Sequence, residues 1–288
     1  MPELPEVETV RRGLLPIVGR TITDCDVRRR DVVRDRASGN PNPRRGPIDP
    51  RSLLVGSRIT EIARKGKQLA LIGTDRDGRA RCVVVQLGMS GRVLLTDEPR
   101  IVPATHVHVV WKLDTGGRVA FRDARRFGGV VLHGPRESLQ RAWSELGPDG
   151  LEIRAAELGA GLSGTTRSVK AALLDQKLIA GVGNIYADEA LFEAGIHPRT
   201  RGCDLDHHQV RGLAGAIRAV LARAVDARGS TLRDYRDASD RSGSAQLLHR
   251  VYGRAGKACI VCGGAIESAS LAQRTTCWCP VCQCMKNP

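Results

Sequence analysis

The chain begins Met1-Pro2-Glu3-Leu4-Pro5-Glu6. If the initiator methionine is removed, which a small following side chain permits, Pro2 is left with a free secondary amine. Such an amine adds to an aldehyde-like carbon to give an iminium, so Pro2 is a candidate covalent nucleophile of the kind that Schiff-base lysines provide. Glu3, the next residue, is close enough to serve as a general acid. The competing reading is a plain proline-rich helix entry. At the other end six of the nine cysteines crowd the last 30 residues. Cys259-x2-Cys262, then sixteen residues, then Cys279-x2-Cys282 is the two-knuckle spacing of a tetrahedral zinc site, with reduced thiols as the alternative. Four thiolates leave no open position, so one structural zinc is expected. Cys277 and Cys284 are available as substitute ligands, although a one-residue spacer bites poorly. Between the knuckles Arg274, Thr275 and Thr276 are placed for a zinc-ribbon hairpin or, more blandly, a solvated turn. A third group is Gly181-Val182-Gly183-Asn184 with Lys170 before it. Free N–H groups at a helix start beside an ammonium make a phosphate site, though most Gly-x-Gly turns are only turns.

These residues need elements to hold them. A length of 288 residues with 41% hydrophobic content accommodates about two domains with real cores. Lys and Arg number 45 against 31 Asp and Glu, a formal charge of +14, which suits a polyanionic partner. Seven of the 45 are lysines, so an ammonium that persists in this arginine-rich chain marks a candidate for a specific role. No apolar run approaches the roughly 18 residues of a membrane span, and the acidic, proline-broken start does not read as a signal peptide. A cytoplasmic location is expected. Pro5 with Val7, Val10 and Leu14 predicts a short helix over about 5–15. Residues 31–50 read as a polar loop. From about 57 to 134, period-two runs between glycine-rich turns predict an antiparallel β-sandwich or barrel, with Val107, Val109, Trp111 and Leu113 alternating against His106, His108, Val110 and Lys112. After 147–150 the period becomes helical. Asn184 is expected to cap a helix closing at Gly195, and Asp206 with Gln209 opens a long helix ending at Gly229. Residues 230–247 lack any period and read as a mobile loop.

Five motifs, in this order, resemble the formamidopyrimidine-DNA glycosylase family of bacterial base-excision repair. They are Pro2-Glu3-Leu4-Pro5-Glu6-Val7-Glu8-Thr9, Leu87-Gly88-Met89-Ser90-Gly91, Asp123-Ala124-Arg125-Arg126-Phe127-Gly128, the run from Gly181 to Leu191, and the four-cysteine tail. The Pro-Glu-Leu-Pro-Glu start is closer to this branch than to the endonuclease VIII branch. The resemblance implies an α+β multidomain protein: a β-sandwich domain with an N-terminal helix (1–147), a helical helix–two-turns–helix domain with a lesion-covering loop (151–247) and a zinc ribbon (248–288). It implies a glycosylase and abasic-site lyase that removes oxidised purines such as 8-oxoguanine and formamidopyrimidines from duplex DNA as a monomer. Position by position, Pro2 resembles the nucleophile, Glu3 the general acid, Glu6 a supporting carboxyl and Lys67 the lysine of the catalytic site. His106, His108, Arg126, Lys170, Asn184 and Arg274 are implied DNA contacts. Met89, Arg125 and Phe127 resemble the trio that fills the void left by a flipped base, which needs an apolar wedge and a guanidinium. Arg241, Ser242 and Gly243 fall in the lesion loop.

The chain departs from the family in three places. Gln86 stands where histidine is usual. The covering loop reads Arg241-Ser242-Gly243-Ser244-Ala245 in place of Lys-Pro-Gly-Tyr-Phe, which leaves lesion preference open. Gln273 replaces the glycine before the ribbon arginine. Two alternatives follow: the same chemistry on oxidised pyrimidines, or a zinc protein that binds damaged DNA without catalysis.

Overall fold

The computed structural model describes residues 2–35, 48–96 and 105–285. Met1 and residues 36–47 of the expected 31–50 loop lie outside the described residues. The chain divides into two compact units, Met1–Glu145 with Arg228–Gly243, and Leu146–Ala227 with Ser244–Pro288.

The first unit is a two-sheet sandwich. Strands β1 (Ile22–Val27), β6 (Gly91–Thr96), β7 (Val107–Leu113) and β8 (Arg118–Asp123) form one sheet in the order β1-β7-β8-β6. The other runs β2-β9-β5-β4-β3, from β2 (Val33–Asp35), β3 (Arg58–Lys65), β4 (Gln68–Thr74), β5 (Ala80–Gln86) and β9 (Gly129–Gly134). All pairings are antiparallel except the short β2–β9 pair, which is parallel. Alternation assigns each strand's faces. Leu69, Leu71, Val83 and Val85 point into the core with Val109, Trp111 and Phe121, while Ala70, Ile72, Cys82 and Val84 face helix α2 (Arg136–Ser144) through Leu139. Helix α1 (Leu4–Leu14) inserts Val7, Val10 and Leu14 into the same core, as its i, i+3, i+7 pattern predicts.

In the strand that carries His108 the simple alternation breaks. A register shift between Val107 and Val109 marks a bulge, so Val107 on one side of it and Val110 on the other share a second cluster with Ala120. This is why His108 is buried, against the expectation of a DNA contact.

The second unit contains α3 (Ala155–Ser163), α4 (Val169–Leu173), α5 (Asn184–Glu193) and α6 (His207–Asp226), followed by the ribbon hairpin β10 (Glu267–Leu271) and β11 (Arg274–Trp278). The Asp206 carboxyl accepts the Gln209 N–H at 2.8 Å while Gln209 accepts the Asp206 N–H at 3.1 Å, the reciprocal cap read from the sequence. The long helix stops at Asp226, short of Gly229, because Arg228 and Gly229 both turn left-handed, at φ 60° and 75°. Ribbon and helices share one apolar cluster, Phe192 and Val251 with Ile266, Cys277 and Cys279, so the ribbon belongs to this body. Residues 228–243 instead belong to the sandwich unit, where Tyr235 and Ala238 enter the core. The expected 151–247 domain and its loop differ from this division by residues 228–243. Among the described residues no helix is long and apolar enough to cross a membrane.

Candidate active site

The N-terminal residues are locked at the head of α1. Pro2 is buried, Glu3 is 3% exposed and Glu6 is 1% exposed. Glu6 lies one helical turn beyond Glu3, so its side chain reaches back, and Oε2 accepts the Glu3 N–H at 2.8 Å. That N–H belongs to the Pro2–Glu3 peptide, so Glu6 fixes the residue that would carry the nucleophile. Lys67 is placed by a second device. Gly66, at φ 55°, and Lys67 form the two-residue turn joining β3 to β4. Arg64 Nη1 donates to the Gly66 carbonyl at 3.1 Å and its Nε to Glu8 Oε2 at 3.0 Å, which fastens that turn to α1. Burial raises the Glu8 carboxyl, but hydrogen bonds from Arg11, Arg64 and Arg12 outweigh it and bring it down to about 2.

Met89, Arg125 and Phe127 sit on two turns packed back to back. A Cβ on Gly88 would come within 2.4 Å of the Gly128 nitrogen, and one on Gly128 within 2.3 Å of the Gln86 carbonyl oxygen. Only glycines allow this approach, and it presents Met89 at 38% and Phe127 at 60% exposure. They are not core residues. Arg125 lies 5.7 Å from the Phe127 ring centre and 3.7 Å from the Asp234 carboxyl. Asp123, which is fully buried, organises the turn: Oδ1 accepts from Ser90 Oγ at 2.5 Å and Arg125 N at 3.2 Å, and Oδ2 accepts from Gly128 N at 2.8 Å. Sequence reasoning named this motif but missed Asp123 as its organiser. The signal was a buried-strand terminus followed by a glycine-containing turn. His108 supports it from below, Nε2 donating to the Asp123 carbonyl at 2.7 Å while Nδ1 is buried with no partner among the described residues. His106 is exposed, at φ 65°. Arg126, at φ 56° and 49% exposed, donates to Asp31 at 2.9 Å. Asp123→Ala leaves buried donors unmatched, at about 1–3 kcal/mol each. We expect a lowered melting temperature and a several-fold loss of base excision; calorimetry and single-turnover kinetics check both, and neither changing would refute this role.

Lys170 is not where a phosphate anchor must be. Its side chain is 0% exposed and donates to the equally buried Asp188, and to the Asn184 carbonyl at 3.0 Å. Asp188 Oδ2 also accepts the Cys277 N–H at 3.1 Å. Burial pushes the Asp188 carboxyl up to about 6 despite the pull of Lys170. Lys170 is therefore an internal cation joining α4 to α5, and Asp188 carries the link on to β11. Asn184 is the first helical residue and Gly183 the cap, one position earlier than expected; Asn184 Nδ2 donates to the Thr275 carbonyl at 2.8 Å. Arg274 is exposed at the ribbon turn. That turn holds Ala272 and Gln273 at φ 49° and 58°, so Gln273, where the resemblance expects glycine, takes a left-handed backbone that costs a non-glycine residue about 1–2 kcal/mol. In the covering segment, Asp237 accepts from Arg241 N at 2.9 Å, Ser242 Oγ from Arg236 at 2.6 Å, and Gly243 N donates to Thr231 at 2.9 Å.

The sulfurs of Cys259, Cys262, Cys279 and Cys282 all lie within 4.8 Å of one another, with pairs at 3.4 and 3.9 Å. A tetrahedral zinc with bonds near 2.3 Å sets its sulfurs about 3.8 Å apart, so the set fits one structural zinc. Val261 N and Cys282 N each point at a knuckle sulfur at 3.4 Å. Cys277 and Cys284 stand outside this cluster.

Comparison with known proteins gives the same order of parts. Residues 1–130 match the formamidopyrimidine-DNA glycosylase N-terminal domain, 146–236 the formamidopyrimidine-DNA glycosylase H2TH domain and 256–283 a zinc finger found in FPG and IleRS. A formamidopyrimidine-DNA glycosylase from Laribacter hongkongensis is 44% identical, covering 98% of this chain and 100% of its own. A Lactococcus lactis FPG variant solved with DNA containing Fapy-dG is similar at a TM-score of 0.85 and 31% identity, covering 99% of this chain and 100% of its own. The Lactococcus lactis Fpg solved with DNA containing an abasic site reaches 0.84 at 30% identity, covering 98% and 100%. With three domains matched in order and relatives alike from end to end, the chain belongs to the formamidopyrimidine-DNA glycosylase family.

Proposed function

We propose that this chain is a base-excision repair enzyme that removes oxidised purines from duplex DNA and then cuts the strand at the resulting abasic site. The reaction begins when the Pro2 amine, freed by removal of Met1, forms a bond to C1′ of the damaged nucleotide as the bond from C1′ to the base breaks. The Pro2 N–H proton leaves with the departing base, and Glu3 delivers a proton to the ring oxygen as the C1′–ring-oxygen bond breaks, which opens the sugar and leaves an iminium between the Pro2 nitrogen and C1′. Loss of a C2′ proton then expels the 3′ phosphate, and a second elimination expels the 5′ phosphate. Lys67 supplies the nearby ammonium, Met89 and Phe127 wedge into the emptied stack, and Arg125 meets the orphaned partner base. Arg274 and the Asn184 helix end contact the backbone, and one zinc held by the four cysteines keeps the ribbon folded. Work on chromosomal DNA would place the enzyme in the cytoplasm at the nucleoid.

The observation that carries this reading is the buried Pro2–Glu3 pair, fixed at the head of α1 by Glu6. The test is borohydride reduction of a mixture with DNA carrying 8-oxoguanine opposite cytosine. A covalent adduct that maps to Pro2 is expected; no adduct on any lesion, from protein whose mature terminus is verified as Pro2, would defeat it. A second reading, preference for oxidised pyrimidines, is favoured by one feature, the Ser244-Ala245 pair where the family pattern has Tyr-Phe. Competition between 8-oxoguanine and thymine glycol duplexes ranks the two.

A further inference from the structure

Glu6 has two carboxyl oxygens, and each holds a different part of the chain. Oε2 accepts the Glu3 N–H at 2.8 Å, while Oε1 accepts the Ser230 N–H at 2.6 Å. Its backbone carbonyl takes a third bond, from the Tyr235 hydroxyl at 3.2 Å. Ser230 and Tyr235 belong to residues 228–243, the segment that includes Arg241, Ser242 and Gly243. All of these groups are buried, Ser230 at 5% and Tyr235 at 6% exposure. Burial, with the Glu6 carboxyl beside it, pushes the Tyr235 phenol upward, so it stays a donor.

The fit around Glu6 leaves no slack. Gly229 stands at φ 75°, and a Cβ there would lie 2.8 Å from Glu6 Oε1, 2.9 Å from its Cγ and 3.2 Å from its Cα. Further along, a Cβ on Gly13 of α1 would come within 2.8 Å of the Ala238 Cβ, and Leu95 N donates to the Ala238 carbonyl at 2.8 Å. The segment is thus seated along α1, from the turn bearing Glu3 and Glu6 to the turn bearing Gly13.

We propose that Ser230 and Tyr235 are positioning residues for the Pro2 nucleophile, acting through Glu6, so that the seating of the 228–243 segment and the placement of the amine are one coupled arrangement. This rests on the reading of Pro2 as nucleophile. The path runs from the Ser230 N–H to Glu6 Oε1, through one carboxyl, to the Glu3 N–H. A shift of the segment's stem tilts that carboxyl, and with it the Pro2–Glu3 peptide. Attack on C1′ of an intact nucleotide is the step most sensitive to such a tilt, because a misplacement of about 1 Å can cost on the order of 100-fold. The aldehyde of an opened abasic site tolerates more.

The experiment compares Gly229→Ala and Tyr235→Phe with the unsubstituted full chain, in single-turnover assays at saturating DNA. Gly229→Ala crowds the Glu6 carboxyl, and Tyr235→Phe deletes one hydrogen bond while keeping the ring in the core. Expected are about tenfold or greater and severalfold losses in 8-oxoguanine excision respectively, with smaller losses in cleavage of a preformed abasic site and an unchanged DNA Kd. A loss of fold alone would lower both activities and binding together. Excision rates unchanged in the folded Tyr235→Phe protein, or a loss confined to Kd, overturns the coupling. Absence of a borohydride adduct from the unsubstituted protein instead overturns the nucleophile reading, and the proposal with it.

Discussion

Pro2→Gly should remove most of the excision of 8-oxoguanine while leaving a measurable part of the strand cleavage at a preformed abasic site. Glycine at the mature terminus still offers an amine, now primary, so Schiff-base chemistry with an aldehyde persists. What is lost is the ring that ties the amine nitrogen to its own side chain and so aims the nitrogen lone pair. Around it the protein has built a rigid seat: Pro2 and Glu3 are buried, and the next peptide N–H is bound by Glu6. A glycine in that seat regains the freedom the seat was shaped to remove. Base release needs the amine, C1′ and the Glu3 proton aligned at once, whereas an abasic sugar has no base to expel and opens reversibly to an aldehyde on its own. Glu3→Gln separates the two contributions further, because loss of a general acid typically costs 10²–10⁴-fold. Its amine can still be trapped on an abasic site. Side-by-side single-turnover rates on the two substrates decide the matter, and equal losses for Pro2→Gly in both would show that Pro2 has no special part in base release.

How far the sequence reaches depends on whether the relevant signal is local. Helix α1, the Asp206–Gln209 cap and the two cysteine knuckles depend on residues within four positions of one another, and the structure has all of them as expected. The sandwich is also legible, since period-two apolar runs require two buried faces. Lys170 is different. Its burial depends on Asp188, eighteen positions later and one turn into another helix, and no periodicity links a lysine to the single carboxyl that neutralises it. His108 fails for a related reason: a bulge shifts the phase of one strand, and alternation carries no mark of where a bulge falls. Segment 228–243 reads as loop because it has no period, yet a few residues, Tyr235 and Ala238 with the Ser230 N–H, seat it on α1. Irregular backbone can be ordered when its polar groups find partners, and here Asp237, Thr231 and Glu6 supply them.

The burial of Lys170 changes the expected behaviour of two basic residues in opposite ways. Arg274→Ala should flatten the slope of log K against log salt by about 0.9, the value for one neutralised phosphate, and weaken damaged and undamaged DNA alike. Its side chain is exposed at the ribbon turn, so stability should change little. Lys170→Met should leave the slope unchanged, because an ammonium with no exposed surface releases no counterions. It should instead lower stability, since removing one partner of a buried pair strands the other, at up to about 3–5 kcal/mol. Chelating the zinc joins the two effects. The four sulfurs are the main organisers of a ribbon whose tip residues Ile260, Val261 and Val281 are all more than half exposed, and a small domain of this kind depends on its metal to fold. Once the ribbon opens, Arg274 loses the β10–β11 turn that presents it. The Asp188 bond to Cys277 N and the Asn184 bond to the Thr275 carbonyl are lost with it, so the α5 N-terminus loses its support. Chelation should therefore flatten the salt slope by more than Arg274→Ala does and remove most lesion binding. A slope that stays unchanged after zinc loss is verified by metal analysis would show that the cysteine-rich ribbon takes no part in holding DNA.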